Sequence, residues 1–361
     1  MKKRDFIKSG FYAVGGMSLL SASACSNSAV QKPSTATNAA STAAASKINK
    51  REKVLAVLDR SKPNKYVPAA FFLHFKDKLG QGAIDSHIQY FRATNMDFVK
   101  VQYEIALPLN EDIKSPKDWA KIPVYTKEFF EPQLEVIGAL AKELKSEALI
   151  IPTVYSPLSL AQQTVGAAAL EHSRQDPDAV AAGYQNITES IVNYITEAVN
   201  RGADGFYIST QGGNSKGFGE TELFAKLVVP YDTAILQAAS DKALVNILHI
   251  CDYGESYYTD ISRFTSFTAS IINAPNRYLD GSSIKLSDVQ ATFDRPVMGG
   301  LDRLGIIAKG TPEQVKAEVD RVLSEAPQNF ILGADCTVPG DTPLQNLRTA
   351  IDYAHDWRLN N

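Results

Sequence analysis

Three residues of this sequence carry the clearest chemical potential: His249, Cys251 and, far downstream, Cys336. His249 and Cys251 close the apolar run 243–251, and Cys336 closes a second one, 330–336. One imidazole and two thiols form a ligand set suited to Zn²⁺, and three protein ligands leave a fourth position open to substrate. The same residues admit two blander readings. The thiols can be small buried hydrophobes beside a satisfied core histidine, or they can pair as a disulfide, since the third cysteine, Cys25, lies in a different kind of sequence. Asp252 and Asp335, each next to a cysteine, are candidates for a fourth ligand or for orienting His249.

The elements that must position these side chains are short apolar runs alternating with longer amphipathic stretches. The runs 67–72, 98–102, 148–154, 205–209, 243–249, 269–272, 296–300 and 330–334 read as buried strands. Between them, helical periodicity marks 85–94, 128–144, 178–201 and 220–239. Thr311-Pro312-Glu313-Gln314 opens a helix over 315–323 with an N-cap threonine, proline at the first turn and a capping-box glutamine. Asp341-Thr342-Pro343 is expected to do the same for a last helix through Trp357.

Eight strands alternating with helices predict an α/β fold of the (β/α)₈ barrel type. No Gly-x-Gly-x-x-Gly turn follows a strand, which argues against an open dinucleotide-binding sheet. Barrel active sites lie at the C-terminal ends of the strands. His249, Cys251 and Cys336 fall there, on the fifth and eighth predicted strands. Other strand ends supply pocket candidates: Glu104 after the second, Tyr155 after the third and Thr210 after the fourth. His74, after the first, can reach the mouth from the periphery.

The chain opens differently. Residues 1–24 combine a basic start, with Lys2, Lys3, Arg4 and Lys8, and a short apolar and small-residue stretch, the pattern of an export signal. At about 15 residues this stretch falls short of the roughly 20 needed to span a bilayer as a helix. Lys3-Arg4-Asp5-Phe6 resembles a twin-arginine signal with lysine in the first position, so both twin-arginine and general secretory export remain open. Ala22-Ser23-Ala24-Cys25 resembles a lipobox, which makes Cys25 the expected lipid anchor; it also fits ordinary signal cleavage. From Ser26 to Ser46, 15 of 21 residues are Ala, Ser or Thr. Such a segment buries too little apolar surface to fold, so 25–49 is expected to be a flexible linker. The expected product is an exported lipoprotein on the periplasmic or cell-surface side, touching the membrane through its anchor alone, with one domain over 50–361.

Of the 361 residues, 44% are hydrophobic, enough for a large single core. Formal net charge is −3, and removal of 1–24 would make the remainder more acidic. No basic patch suggests a nucleic-acid partner.

Several stretches together resemble the uroporphyrinogen decarboxylase (URO-D) superfamily, and more narrowly its zinc-dependent branch that contains the methylcobalamin:coenzyme M methyltransferases. They are 202–213 (GADGFYISTQGG), Phe224 with Val229-Pro230-Tyr231, Gly299-Gly300-Leu301-Asp302, and Ile331-Leu332-Gly333 followed by 339–343 (PGDTP). The resemblance runs from about Arg51 to Trp357 and implies a (β/α)₈ barrel. The branch motif is His-x-Cys with a distant Cys, which His249, Cys251 and Cys336 match. In that branch these residues hold Zn²⁺, the metal binds an acceptor thiol as thiolate, and a corrinoid or corrinoid protein delivers a methyl group.

The resemblance therefore implies a zinc-dependent methyltransferase that activates a thiol, with a methylcobamide as donor. Two alternatives accompany it. One is a carboxy-lyase acting like uroporphyrinogen decarboxylase. The decarboxylase branch holds its many-carboxylate substrate with N-terminal arginines, and the corresponding stretch here, 70–76, has none. Its aspartate after the second strand is replaced near Gln102-Tyr103, its C-terminal histidine falls on Ala334, and its fourth-strand serine corresponds to Thr210. The other alternative is a tethered lipoprotein that binds a cobamide or tetrapyrrole without turnover.

Overall fold

The computed structural model describes residues 49–360, residue 104 excepted. The expected export signal, the Cys25 anchor and nearly all of the linker therefore lie outside the described residues, as does Glu104. Seven strands form one sheet: β1 (Phe98–Val101), β2 (Leu149–Tyr155), β3 (Gly205–Thr210), β4 (Val245–Ile250), β5 (Ile271–Asn273), β6 (Val297–Leu301) and β7 (Phe330–Ala334). They lie in sequence order and every pairing is parallel. Helices connect them and cover the outer face, which is why the strands read as nearly continuous apolar runs.

The expected eighth strand, 67–72, is not a regular strand. It is extended and buried, with a single parallel bridge from Ala69 to Leu332 of β7. Ala70 N–H donates to Leu332 O at 3.0 Å and Leu332 N–H to Pro68 O at 2.8 Å. Toward β1, the backbone contributes one bond, from Asp97 N–H to Ala69 O at 3.0 Å. Two residues explain the broken ladder. Pro68 has no N–H to give. Asp97 takes the Ala69 N–H on its own carboxylate at 2.7 Å, where a neighbouring strand would have offered a carbonyl. The fold is thus a curled seven-stranded sheet whose edge strands are joined by an irregular segment.

Asp97 is fully buried and also accepts hydrogen bonds from Tyr66 Oη at 2.6 Å and His355 Nε2 at 2.7 Å. His355 belongs to the last helix, Leu344–Asn360, so this carboxylate ties the chain's final element to the base of the sheet.

Most helices follow the periodicity. Lys127–Leu144 and Ala181–Asn200 bury one apolar face each. Thr311 accepts from Gln314 N–H, and the reciprocal capping-box bond from Thr311 N–H to Gln314 Oε1 measures 2.9 Å. Two expectations are corrected. The helix expected over 220–239 is two helices, Glu222–Leu227 and Val229–Lys242, because Pro230 cannot continue the ladder of the first. Thr342 does not cap the last helix: that helix starts at Leu344, and the buried Thr342 hydroxyl has no hydrogen-bond partner.

Candidate metal centre

His249 is the penultimate residue of β4 and Cys251 immediately follows it. Residues two apart on an extended backbone share a face, so both side chains turn into the interior of the curled sheet. The Cys251 N–H donates to Thr210 O at 3.1 Å and extends the β3–β4 ladder past the strand end. Tyr258 Oη donates to Cys251 O at 2.8 Å and fixes the next turn of chain. Cys336 comes from the far side, two residues beyond β7. With strands about 4.8 Å apart, β4 and β7 are separated by roughly 14 Å along the sheet. Curling nevertheless brings the ligand atoms of His249, Cys251 and Cys336 within 4.8 Å of one another, all buried.

Two observations show that this cluster fits a metal. Neither His249 ring nitrogen has a hydrogen-bond partner, although both are fully buried. A polar atom left unpaired inside a protein costs on the order of 1–3 kcal/mol, and coordination of one ring nitrogen by a metal would offset that atom's share. Both cysteines are free thiols. Tetrahedral Zn²⁺ needs ligand atoms about 3.5–3.8 Å apart, inside the observed span. The thiols titrate as a pair. Chiefly through the hydrogen bond from Cys336, and further through the charge of His249, the Cys251 thiol is held well below its usual range. The same hydrogen bond, together with burial, pushes the Cys336 thiol up. Gln211 Nε2 lies 3.5 Å from Cys251 Sγ and adds a donor to the thiolate.

Asp252 and Asp335 do not join the cluster and do not orient His249. Both are buried and turned toward Arg303, whose Nη1 lies 2.7 Å from Asp252 Oδ1 and 3.4 Å from Asp335 Oδ2. Each is adjacent in sequence to an inward-facing thiol, and alternation along extended chain turns it away. Burial and the neighbouring Asp252 push Asp335 up to about 6.

His249 is steadied by packing instead. Its ring stacks on Tyr207 with centroids 4.9 Å apart. Tyr207 Oη donates to Asn273 Oδ1 at 2.6 Å, and Asn273 Nδ2 donates to Met298 O and Ala334 O. The His249 imidazole thus rests on a column of side chains that reaches β3, β5, β6 and β7.

A cavity of about 260 Å³ opens over the three ligands. Tyr155 lines it, with Gln211, Tyr253 and Thr337, and His74 stands at its edge. Thr210 does not line it. Its side chain is fully buried and donates to Asp232, while Ser209 and Gln211 on either side face the cavity. Gln211 is held by the tight turn at Gly212, whose φ of +96° favours glycine and where a Cβ would lie 2.6 Å from Leu158. Lys100 also lines the cavity, with its ammonium 4.8 Å from the centroids of both Phe72 and Tyr207. Sequence reasoning passed over Lys100, although a lysine inside an apolar strand is itself a signal. Tyr207 and Arg303 were also missed, and no spacing rule marks either.

Comparison with known proteins agrees with this architecture. A methylcobamide:CoM methyltransferase, MtbA, of Methanosarcina mazei is 23% identical over 253 residues, 69% of this chain and 71% of that protein. MtbA of Methanosarcina acetivorans is 26% identical over 62% of this chain and 63% of its own length. The solved structure of a methyltransferase from Methanosarcina mazei superposes with a TM-score of 0.70 at 14% identity, covering 86% of this chain and 99% of that one. At that identity the likeness establishes the fold. The pattern described as "Uroporphyrinogen decarboxylase (URO-D)" matches residues 93–357, a span that includes His249, Cys251 and Cys336, and the chain belongs to that family.

Proposed function

We propose that this protein is a zinc-dependent methyltransferase that activates a thiol at His249, Cys251 and Cys336, with a corrinoid as methyl donor. One observation carries the reading: a buried histidine with no partner for either nitrogen converges with two free thiols beneath an open cavity. Likeness to the two methylcobamide:CoM methyltransferases supports methyl transfer from a cobamide to a thiol.

Zn²⁺ held by these residues supplies a Lewis acid that keeps an acceptor thiol ionised at neutral pH. The protein's own groups do the rest. Cys251 and Cys336 are about 5% and 6% exposed, so bulk water has little access from below. Tyr207 and Asn273 hold the imidazole plane. Tyr155, Gln211 and Thr337 surround the space that the acceptor's tail would occupy and offer it hydroxyl and amide partners. The reading includes export and a lipid anchor at Cys25, which mass analysis of the mature N-terminus checks.

The test is twofold. Protein purified without chelator should carry about one Zn²⁺ per chain by elemental analysis, and should methylate a small thiol from methylcobalamin. Metal-free protein after gentle purification, or zinc-loaded protein inert toward every thiol offered, overturns the reading.

A further inference from the structure

Arg303 lies in the loop after β6 and is 8% exposed. It is bonded to the residue beside each cysteine. Its Nη1 meets Asp252, which follows Cys251, and Asp335, which precedes Cys336. Its backbone N–H donates to the other Asp335 oxygen at 2.8 Å, and Asp335 N–H returns a bond to Leu301 O at 3.0 Å. One residue therefore connects the loops after β4, β6 and β7. The two thiols come from strands separated by β5 and β6, so no backbone ladder fixes their separation directly.

We propose that Arg303 is the positioning residue of the centre: by clamping Asp252 and Asp335 it holds Cys251 and Cys336 at metal-binding separation. The electrostatics agree. Two buried carboxylates flanking two ionisable thiols would repel one another without a cation between them. Both carboxylates are met by the one nitrogen, Nη1, and the planar guanidinium with the backbone N–H beside it fixes direction as well as charge.

This inference rests on the metal reading above, and its test separates the two. Zinc affinity is measured by chelator competition on the full chain, and Co²⁺ is used as a spectroscopic probe of the thiolate ligands. Arg303→Met should raise the metal Kd by about 10–100-fold, the usual effect of removing a group that orients metal ligands. Its Co²⁺ spectrum should show weakened thiolate-to-metal bands. Arg303→Lys retains the charge without the fork, is expected to fold even where Arg303→Met does not, and should recover only part of the affinity. Wild-type affinity and an unchanged Co²⁺ spectrum in both variants overturn the positioning role alone. A wild-type chain that binds neither metal overturns the metal centre and this role with it.

Discussion

The Tyr207 and His249 rings stack at an interplanar angle of 27°, and the phenol hydroxyl reaches past the imidazole's strand to Asn273 on β5. The imidazole is therefore oriented by a ring face and leaves both its nitrogens for other work. Metal-binding histidines are usually oriented by a hydrogen bond to the second ring nitrogen. Here the stack takes over that part. Tyr207→Phe keeps the stack and removes the donor to Asn273, so it should cost about 1–3 kcal/mol of stability with metal content retained. Tyr207→Ala removes both and should cost about 3–5 kcal/mol while lowering zinc occupancy. Chemical denaturation with parallel elemental analysis separates the two effects.

Cys336→Ser should abolish metal retention outright. The hydroxyl is a poor substitute for a thiolate toward Zn²⁺, and two remaining ligands do not make a stable site. Zinc per chain after dialysis should fall to near zero, while the circular dichroism spectrum stays that of the parent. Full zinc retention would show that Cys336 is no ligand.

Asp232 offers a prediction about pH. Burial pushes its carboxyl up to about 7, and the hydrogen bond from Thr210 only partly opposes this. Because the folded value exceeds that of the unfolded chain, the folded state holds the extra proton between roughly pH 4 and 7. This contribution to stability is complete below the unfolded value and is lost as pH rises toward 7. Asp232→Asn should therefore flatten the fall in denaturation midpoint across that window, and it should gain relative to the parent at pH 8. Parallel slopes for the two proteins would count against a protonated Asp232.

Asp97→Ala should be among the most damaging single changes away from the His249, Cys251 and Cys336 cluster. It strands the Tyr66 hydroxyl and the Ala69 N–H, both buried, and frees His355 from its carboxylate partner. Two unsatisfied buried donors predict a loss of about 3 kcal/mol or more. Urea denaturation checks it, and a change below 1 kcal/mol would contradict the network.

Much of this organisation is legible in the sequence because parallel strands covered on both faces are written as unbroken apolar runs. Seven of the eight expected strands are present for that reason, and His249 and Cys251 share a face because they stand two residues apart. The eighth failed through a side chain. The periodicity of 67–72 is that of a strand, but Pro68 and the Asp97 carboxylate remove the bonds that would have made it one. Asp252 and Asp335 misled in a related way. Adjacency to a cysteine suggests a shared role, whereas alternation turns neighbours to opposite sides, toward a partner, Arg303, that no local spacing marks. Thr210 shows the same effect against Ser209 and Gln211.

The irregular segment between β7 and β1 has a mechanical consequence. Every strand-to-strand junction in the sheet is a ladder of at least two residue pairs, whereas the segment meets β7 through one bridge and β1 through one backbone bond and one carboxylate. The ring has a seam, and local opening is cheapest where a closed structure has fewest cooperative bonds. His74, at the edge of the cavity, hangs from the segment that forms one lip of that seam. A local opening at this seam would shift His74 and the cavity's entrance together, and it would have to break the bonds that Asp97 makes at the base.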